Sequence, residues 1–224
     1  MPMPTDLARR LLLGGAAATL LSGAGPLTGD AAFLAAARSN DVSTLKRMLA
    51  AGQSVETRDA VGRTALLVAT VANSVDAARL LIAAGADVNA KDGQRDTPYL
   101  FAGAEGRVEI LKMTLAAGAN LKDTNRYGGT ALIPAAEKGH LETLAMLLST
   151  SIDIDHVNDL GWTALLEAVI LGDGGPVHQQ IVAALIAAGA RLDIGDRDGV
   201  PALAHARQNG QAKIAALLEQ AGAT

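Results

Sequence analysis

The chain has 224 residues, a formal charge of −4 and a sequence pI near 5.5. An acidic chain with no Lys/Arg run longer than a pair lacks the clustered cations that a nucleic-acid backbone requires. Zero cysteines exclude disulfides, thiolate metal sites and a cysteine nucleophile. Half of the residues are apolar but only 2% are aromatic, and Ala and Leu dominate. That composition favours helices packed closely through small side chains.

In chain order, the first readable element is the N-terminus, MPMPTDLARRLLLGGAAATLLSGA. Arg9 and Arg10 precede an apolar run, Leu11 to Leu21, and Ser22-Gly23-Ala24 then offers the small residues of a cleavage site. Residues 1–24 are therefore expected to be an export signal of the twin-arginine type, although Ala8 stands where Ser or Thr usually precedes the arginine pair. A membrane span needs roughly 20 apolar residues, more than this run supplies. No cysteine follows to carry a lipid anchor. The expected location is periplasmic or secreted. An ordinary amphipathic helix fits less well, because Leu11 to Leu21 has no polar face.

Residues 25–224 are dominated by a repeat. Thr64-Ala65-Leu66, Thr97-Pro98-Tyr99, Thr130-Ala131-Leu132 and Thr163-Ala164-Leu165 begin 33 residues apart, and so do Gly52, Gly85, Gly118 and Ser151. Ala36, Ala69, Ala102, Ala135, Ala168 and Ala206 form a further column. Asp59, Asp92, Asn125, Asn158 and Asp196 mark a turn before each Thr or Pro block. About six units result, at 29–58, 59–91, 92–124, 125–157, 158–195 and 196–224. The fifth is five residues longer, with the excess at 173–177.

Each unit reads as turn, short helix, break, longer helix, glycine. The Thr hydroxyl caps the first helix by accepting from backbone N–H groups that lack a helical partner. Gly106, Gly139, Gly172 and Gly210 fall at the break. Gly at the end of the second helix takes the left-handed conformation of a C-cap. The Ala column lets helices approach closely, since a larger side chain there would push units apart. The class expected is an all-α solenoid of helix–turn–helix units.

These motifs resemble the ankyrin repeat. The resemblance is carried by Thr97-Pro98-Tyr99, by Thr64-Ala65-Leu66 and its copies, by Gly139-His140-Leu141-Glu142, and by Gly85-Ala86-Asp87-Val88-Asn89-Ala90. It covers about residues 29–224. It implies stacked helix pairs with β-turn fingers projecting to one side, each unit stabilised by its neighbours. Leu67, Leu100, Ile133 and Leu166 replace the family's histidine, which normally ties adjacent turns, so apolar contact and looser fingers are expected there. The end units read as caps: the first begins Asp30-Ala31-Ala32-Phe33, and the last puts Glu219 where inner units have Ile82, Leu115, Leu148 and Ile186. The stretch Gly161 to Glu167, followed by Gly172-Asp173-Gly174-Gly175-Pro176, is similar to a recurring form of bacterial ankyrin proteins.

The insertion has two readings. Pro176 suits the first position of a helix, so the extra residues lengthen the second helix by about one turn and widen the loop before it. The stretch either packs on its neighbours or forms a recognition loop with Asp173 and His178 as polar contacts.

The sequence offers little for catalysis. His140, His156, His178 and His205 lie at non-equivalent positions. Neither an HExxH nor a GxSxG pattern occurs, and GDGGP lacks the Lys-Ser/Thr of a phosphate loop. No enzyme activity, cofactor or metal is expected. The resemblance implies a protein partner on the concave surface made by fingers and first helices. Carried over by position, the candidate contacts are Arg63, Asp96, Arg126, Tyr127 and Trp162 on fingers and Phe101, Glu137, Lys138 and Glu167 on first helices, with Asp173 and His178 from the insertion. Tyr127 and Trp162 are the expected anchors, because aromatics are enriched at interface hot spots; for Trp162, packing against the adjoining finger is an equal alternative. Two other functions stay open: an inhibitor or immunity-like protein that blocks one enzyme, and a small-molecule or catalytic site near Glu167, Asp173 and His178. A host-directed cytoplasmic effector is a third, if the N-terminus is not cleaved. The sequence favours a monomer and no membrane contact once the signal is removed.

Overall fold

The structure, a computed structural model, describes residues 29–224. The export signal expected at residues 1–24 lies outside the described residues. Twelve α-helices alternate along the described chain. The first helices are α1 (Gly29–Arg38), α3 (Ala65–Val71), α5 (Pro98–Ala104), α7 (Leu132–Glu137), α9 (Ala164–Ile170) and α11 (Ala202–Gln208). The second helices are α2 (Val42–Ala50), α4 (Val75–Ala83), α6 (Val108–Ala116), α8 (Leu141–Leu148), α10 (Pro176–Ala187) and α12 (Ala212–Gln220). Each first helix packs on its own second helix and on the next first helix, and the second helices form a parallel outer row. None of the described helices is long and apolar enough to cross a membrane.

The repeat columns become the core. Ala69, Ala102, Ala135, Ala168 and Ala206 are fully buried and Ala36 nearly so, where first helices meet. Leu81, Leu147, Leu185 and Leu218 fill the equivalent position of the second helices and are also fully buried. In the last unit Glu219 is exposed and pairs with Arg207 at 2.7 Å, so the end of the stack carries an ion pair instead of an apolar side chain.

Fingers repeat one hydrogen-bond pattern. The backbone N–H of Asp59, Asp92, Asn125, Asn158 and Asp196 donates to the carbonyl four residues on, at 3.0–3.1 Å. The side-chain Oδ1 of the same residues accepts two further backbone N–H groups within the turn. Asx side chains suit this role because they mimic the backbone in a turn. The glycine column Gly62, Gly128, Gly161 and Gly199 supplies positive φ in four fingers, but the finger of the third unit holds Arg95 at φ 65. A left-handed L-residue costs roughly 1–2 kcal/mol, against roughly 0.5–1 kcal/mol of extra chain entropy for glycine. Arg95→Gly is therefore expected to raise stability by about 0.5–1 kcal/mol, read as a higher urea midpoint at unchanged m.

The Thr caps form in three units. Thr64, Thr97 and Thr163 accept from the N–H of Leu67, Leu100 and Leu166 at 3.0–3.2 Å. Thr130 makes no cap bond, and its buried hydroxyl has no partner. The cause is Pro134. In the other three units the N–H four residues on donates to the Thr carbonyl, at Val68, Phe101 and Glu167. Pro134 has no N–H, so Ile133 N turns to the Thr130 carbonyl at 3.3 Å and the first turn tightens. Thr163→Ala is expected to cost about 1 kcal/mol, and Thr130→Ala close to nothing. Thermal unfolding of the two variants side by side checks the difference.

The fingers are not loose. Leu67, Leu100, Ile133 and Leu166 are buried, 0–2% exposed, and add apolar contact as expected. Adjacent fingers are joined by other groups. Gly93 N donates to Val61 O at 3.0 Å and Asp159 N to Tyr127 O at 2.9 Å. His156 Nε2 lies 2.7 Å from Gly128 O, and Arg197 donates to Asp159 O. Elsewhere along the same junctions, the N–H of Asp87, Asn120 and Arg191 is accepted by Glu56, Asn89 and Asp155, each from the preceding unit. At the break end, Asn40 Oδ1 accepts from Ala77 N at 2.8 Å and so caps α4 from the unit before it.

Helix α10 has 12 residues where α4, α6 and α12 have 9. The added turn is Pro176-Val177-His178. Although Gly172 occupies the break position by sequence spacing, the left-handed residue of this break is Gly174, at φ 68. Gly172 serves close approach instead: a Cβ there would lie 2.1 Å from Ala168 O and 2.5 Å from the His178 ring.

Candidate functional site

The fingers and first helices form one face of the stack, and the candidate residues divide on it by what holds them. Arg63 is tied within its own finger, 2.7 Å from Asp59 Oδ2. Arg126 reaches across to Gln94 of the preceding finger while its guanidinium lies 4.6 Å from the centre of the Tyr127 ring. At that distance the guanidinium is attracted to the ring face. Lys138, at the end of α7, pairs with Glu105 at the end of α5. Phe101 is half-buried on α5. Two bridges therefore join the third and fourth units, Gln94 with Arg126 and Tyr127 at the fingers and Glu105 with Lys138 at the ends of the first helices.

Trp162 sits half-buried on the finger of the fifth unit and packs against the core. Tyr127 and Trp162 lie on neighbouring fingers, joined through the backbone bond from Asp159 to Tyr127.

Three carboxylates on this face are strained electrostatically. Burial raises the Asp96 carboxyl to about 6, with Asp92 adding repulsion against the partial relief from Arg126 and Lys138. Glu137 is also raised, first by burial and then by Glu105, while Lys138 and His178 oppose the shift. Glu167 is 3% exposed. Burial, followed by the charge of Glu137, raises its carboxyl from an ordinary 4.5 to about 8. Its Oε1 accepts from Asn158 Nδ2 at 2.8 Å. Asn158 in turn accepts from the N–H of Leu160 and Trp162, so Glu167 steadies the finger that presents Trp162. The last unit uses the same device with other atoms: His205 Nε2 lies 2.8 Å from Asp196 Oδ2. The contribution of Asn158 and Asp196 was hidden in the sequence behind their turn-forming role.

Asp173 and His178 are tied to each other and to the stack. His178 Nδ1 lies 2.7 Å from Asp173 Oδ1, and Nε2 lies 2.9 Å from the Glu137 carbonyl. Ser74 and Gln211, at the equivalent position of other units, likewise donate to carbonyls of the preceding unit. Glu167 is held by Asn158, and the hydrogen bonds of Asp173 and His178 do not include it. Among the described residues no three His, Asp or Glu side chains converge as a metal site would require. An open groove between α11 and α12, lined by Ala206, Arg207, Gln211 and Glu219, lies at the C-terminal end.

Helix pairs, Asx fingers and a stacked Ala core define a helical repeat solenoid. The sequence model described as ankyrin repeats, three copies, matches residues 4–92 and 99–196, and the chain belongs to the ankyrin-repeat family. An ankyrin repeat domain from Acinetobacter baumannii AYE is 54% identical over 86% of this chain and 98% of its own, with a TM-score of 0.83. EF0377, described as an ankyrin repeat protein, is 43% identical over 84% of this chain and 96% of its own, with a TM-score of 0.81. No curated protein matches the chain. Ankyrin repeats generally mediate contacts between proteins, and proteins built from them are generally non-catalytic scaffolds.

Proposed function

We propose that this chain is an exported, non-enzymatic scaffold that binds one protein partner through its concave finger and first-helix face. The observation that supports this most is the joined surface across units three and four. There Arg126 bridges to Gln94 over Tyr127, and Lys138 bridges to Glu105. Preorganised side chains lose little freedom on binding, and an aromatic beside charged rims is the usual make-up of an interface centre. Asp96, Phe101, Glu137 and Trp162 extend the same face, with Glu167 buried beneath it. Arg63, Asp173 and His178 are engaged within the stack and contribute shape more than contact.

The test is capture of partners by the purified protein, with Tyr127→Ala/Trp162→Ala and a variant lacking Asp173 to Val177 alongside. The expected result is one protein retained by the wild type and the deletion variant and lost with the aromatic pair. Loss only with the deletion would move the site to the insertion, and no partner with any folded variant would overturn the reading. If the retained protein is an enzyme, assaying it with and without this chain decides whether the role is inhibition. Export is tested separately by mass spectrometry of the mature N-terminus, expected to begin after Ala24.

A further inference from the structure

Among the described residues, His178 is the histidine with an acceptor at each ring nitrogen. Nδ1 lies 2.7 Å from Asp173 Oδ1, and Nε2 lies 2.9 Å from the Glu137 carbonyl. His156 and His205 each have one such contact. Neither partner of His178 supplies a proton. A backbone carbonyl only accepts. Asp173 Oδ1 already accepts the Gly175 N–H at 2.8 Å, and that bond, followed by the one from His178, holds the carboxyl below its ordinary value. Both contacts therefore hold together only when the ring carries both of its protons. At the equivalent position of other units, Ser74 and Gln211 bond to backbone carbonyls. The carboxylate partner comes from the insertion.

The two contacts differ in their surroundings. The His178 side chain is 11% exposed and the Asp173 side chain 78%. Water replaces the ring readily at Asp173, whereas the contact with Glu137 is partly buried. A ring that loses one proton keeps the other on Nε2 and turns the Nδ1 lone pair towards a carboxylate, which repels it. The groups that feel the charge of the ring are Asp173 of its own loop and the Glu137 carboxyl of α7. Lys138, just beyond α7, is paired with Glu105. The other titratable groups on elements packed against α10 are His140 and Glu142 at the start of α8, Glu167 of α9, and Lys213 and Glu219 of α12. None of them hydrogen-bonds to the ring.

We propose that His178 is a proton-operated latch: as the imidazolium it fastens the loop at 172–175 to the fourth unit, and as the neutral ring it lets that loop go. On release Asp173 turns to solvent and the Gly175 N–H loses its acceptor. The tie to the Glu137 carbonyl persists, just as uncharged Gln211 keeps its carbonyl ties in the last unit. The latch is closed where Asp173 is ionised and the imidazole protonated, and it opens as the pH rises through the range in which imidazoles titrate.

Nitrogen NMR shifts of the His178 ring, measured on the full chain, read its protons directly. At about pH 5 both nitrogens are expected to be protonated, and at about pH 9 only Nε2. Amide hydrogen exchange, expressed as protection relative to an unstructured peptide at the same pH, reads the loop. Protection of the Gly175 N–H is expected to fall at least about tenfold between those conditions, while the Leu166 N–H, held by Thr163, keeps its own. His178→Gln should abolish the pH dependence at Gly175, and His205→Gln should leave it as in the wild type. A neutral ring at the lower pH, an imidazolium at both, a proton kept on Nδ1 instead of Nε2, unchanged protection at Gly175, or the same fall in His178→Gln would each overturn the proposal.

Discussion

Replacing Glu167 by Gln is expected to stabilise the protein by about 3 kcal/mol at pH 7, with the gain disappearing near pH 4. The neutral acid of Glu167 suits its buried position, whereas the unfolded chain ionises normally. With the folded carboxyl raised from 4.5 to about 8, the folded state holds a proton that the unfolded state has released. Stability from this group is therefore fully present below pH 4.5 and is lost progressively as the pH rises towards 8. Each unit of displacement is worth about 1.4 kcal/mol. Gln keeps the acceptor for Asn158 and never ionises, so the variant escapes the loss. Urea unfolding of both proteins at pH 4, 6 and 8 gives the measurement. Groups not coupled to Glu167 act on both chains alike and cancel in the difference. A difference independent of pH would show that Glu167 ionises normally.

Leu147→Ala should have the second large effect, a loss of about 3 kcal/mol. Leu147 is fully buried in α8, which packs against α7 of its own unit and between α6 and α10. Truncating a fully buried leucine typically costs about 2–5 kcal/mol, because the lost transfer energy is joined by a cavity. In a one-dimensional stack the position of the damage matters as much as its size. The fourth unit couples the first three to the last two, so weakening it should divide the unfolding. A broadened urea transition with a lower apparent m is expected. Leu218→Ala, at the same place in the terminal unit, should instead fray one end and leave a single main transition.

The fold was legible because its determinants recur. A column of Ala, Thr or Asx every 33 residues specifies the same contact in each unit, and the number of copies makes the pattern visible. Departures came where one residue changed the local chemistry of its unit. Pro134 removed a single N–H and with it the reason for the Thr130 cap. Pro176 started α10 a turn early and moved the left-handed break from Gly172 to Gly174. The firmness of the fingers was not legible, since Gln94 with Arg126, or Asn89 with Asn120, are pairings between unlike residues in successive units. The candidate face was legible as positions only. Burial of Glu167, and the commitment of every nearby cation, depend on how three units meet, and no single unit carries that information.

The ties at Asn40, Glu56, Asn89 and Asp155 share a polarity. In each, the side chain of one unit accepts the backbone N–H of the unit that follows. A ribosome delivers the chain in that same order, N-terminus first. The first, second and fourth units thus carry acceptors for the stretch that follows them in the chain. At those three junctions the direction of the tie and the direction of synthesis coincide.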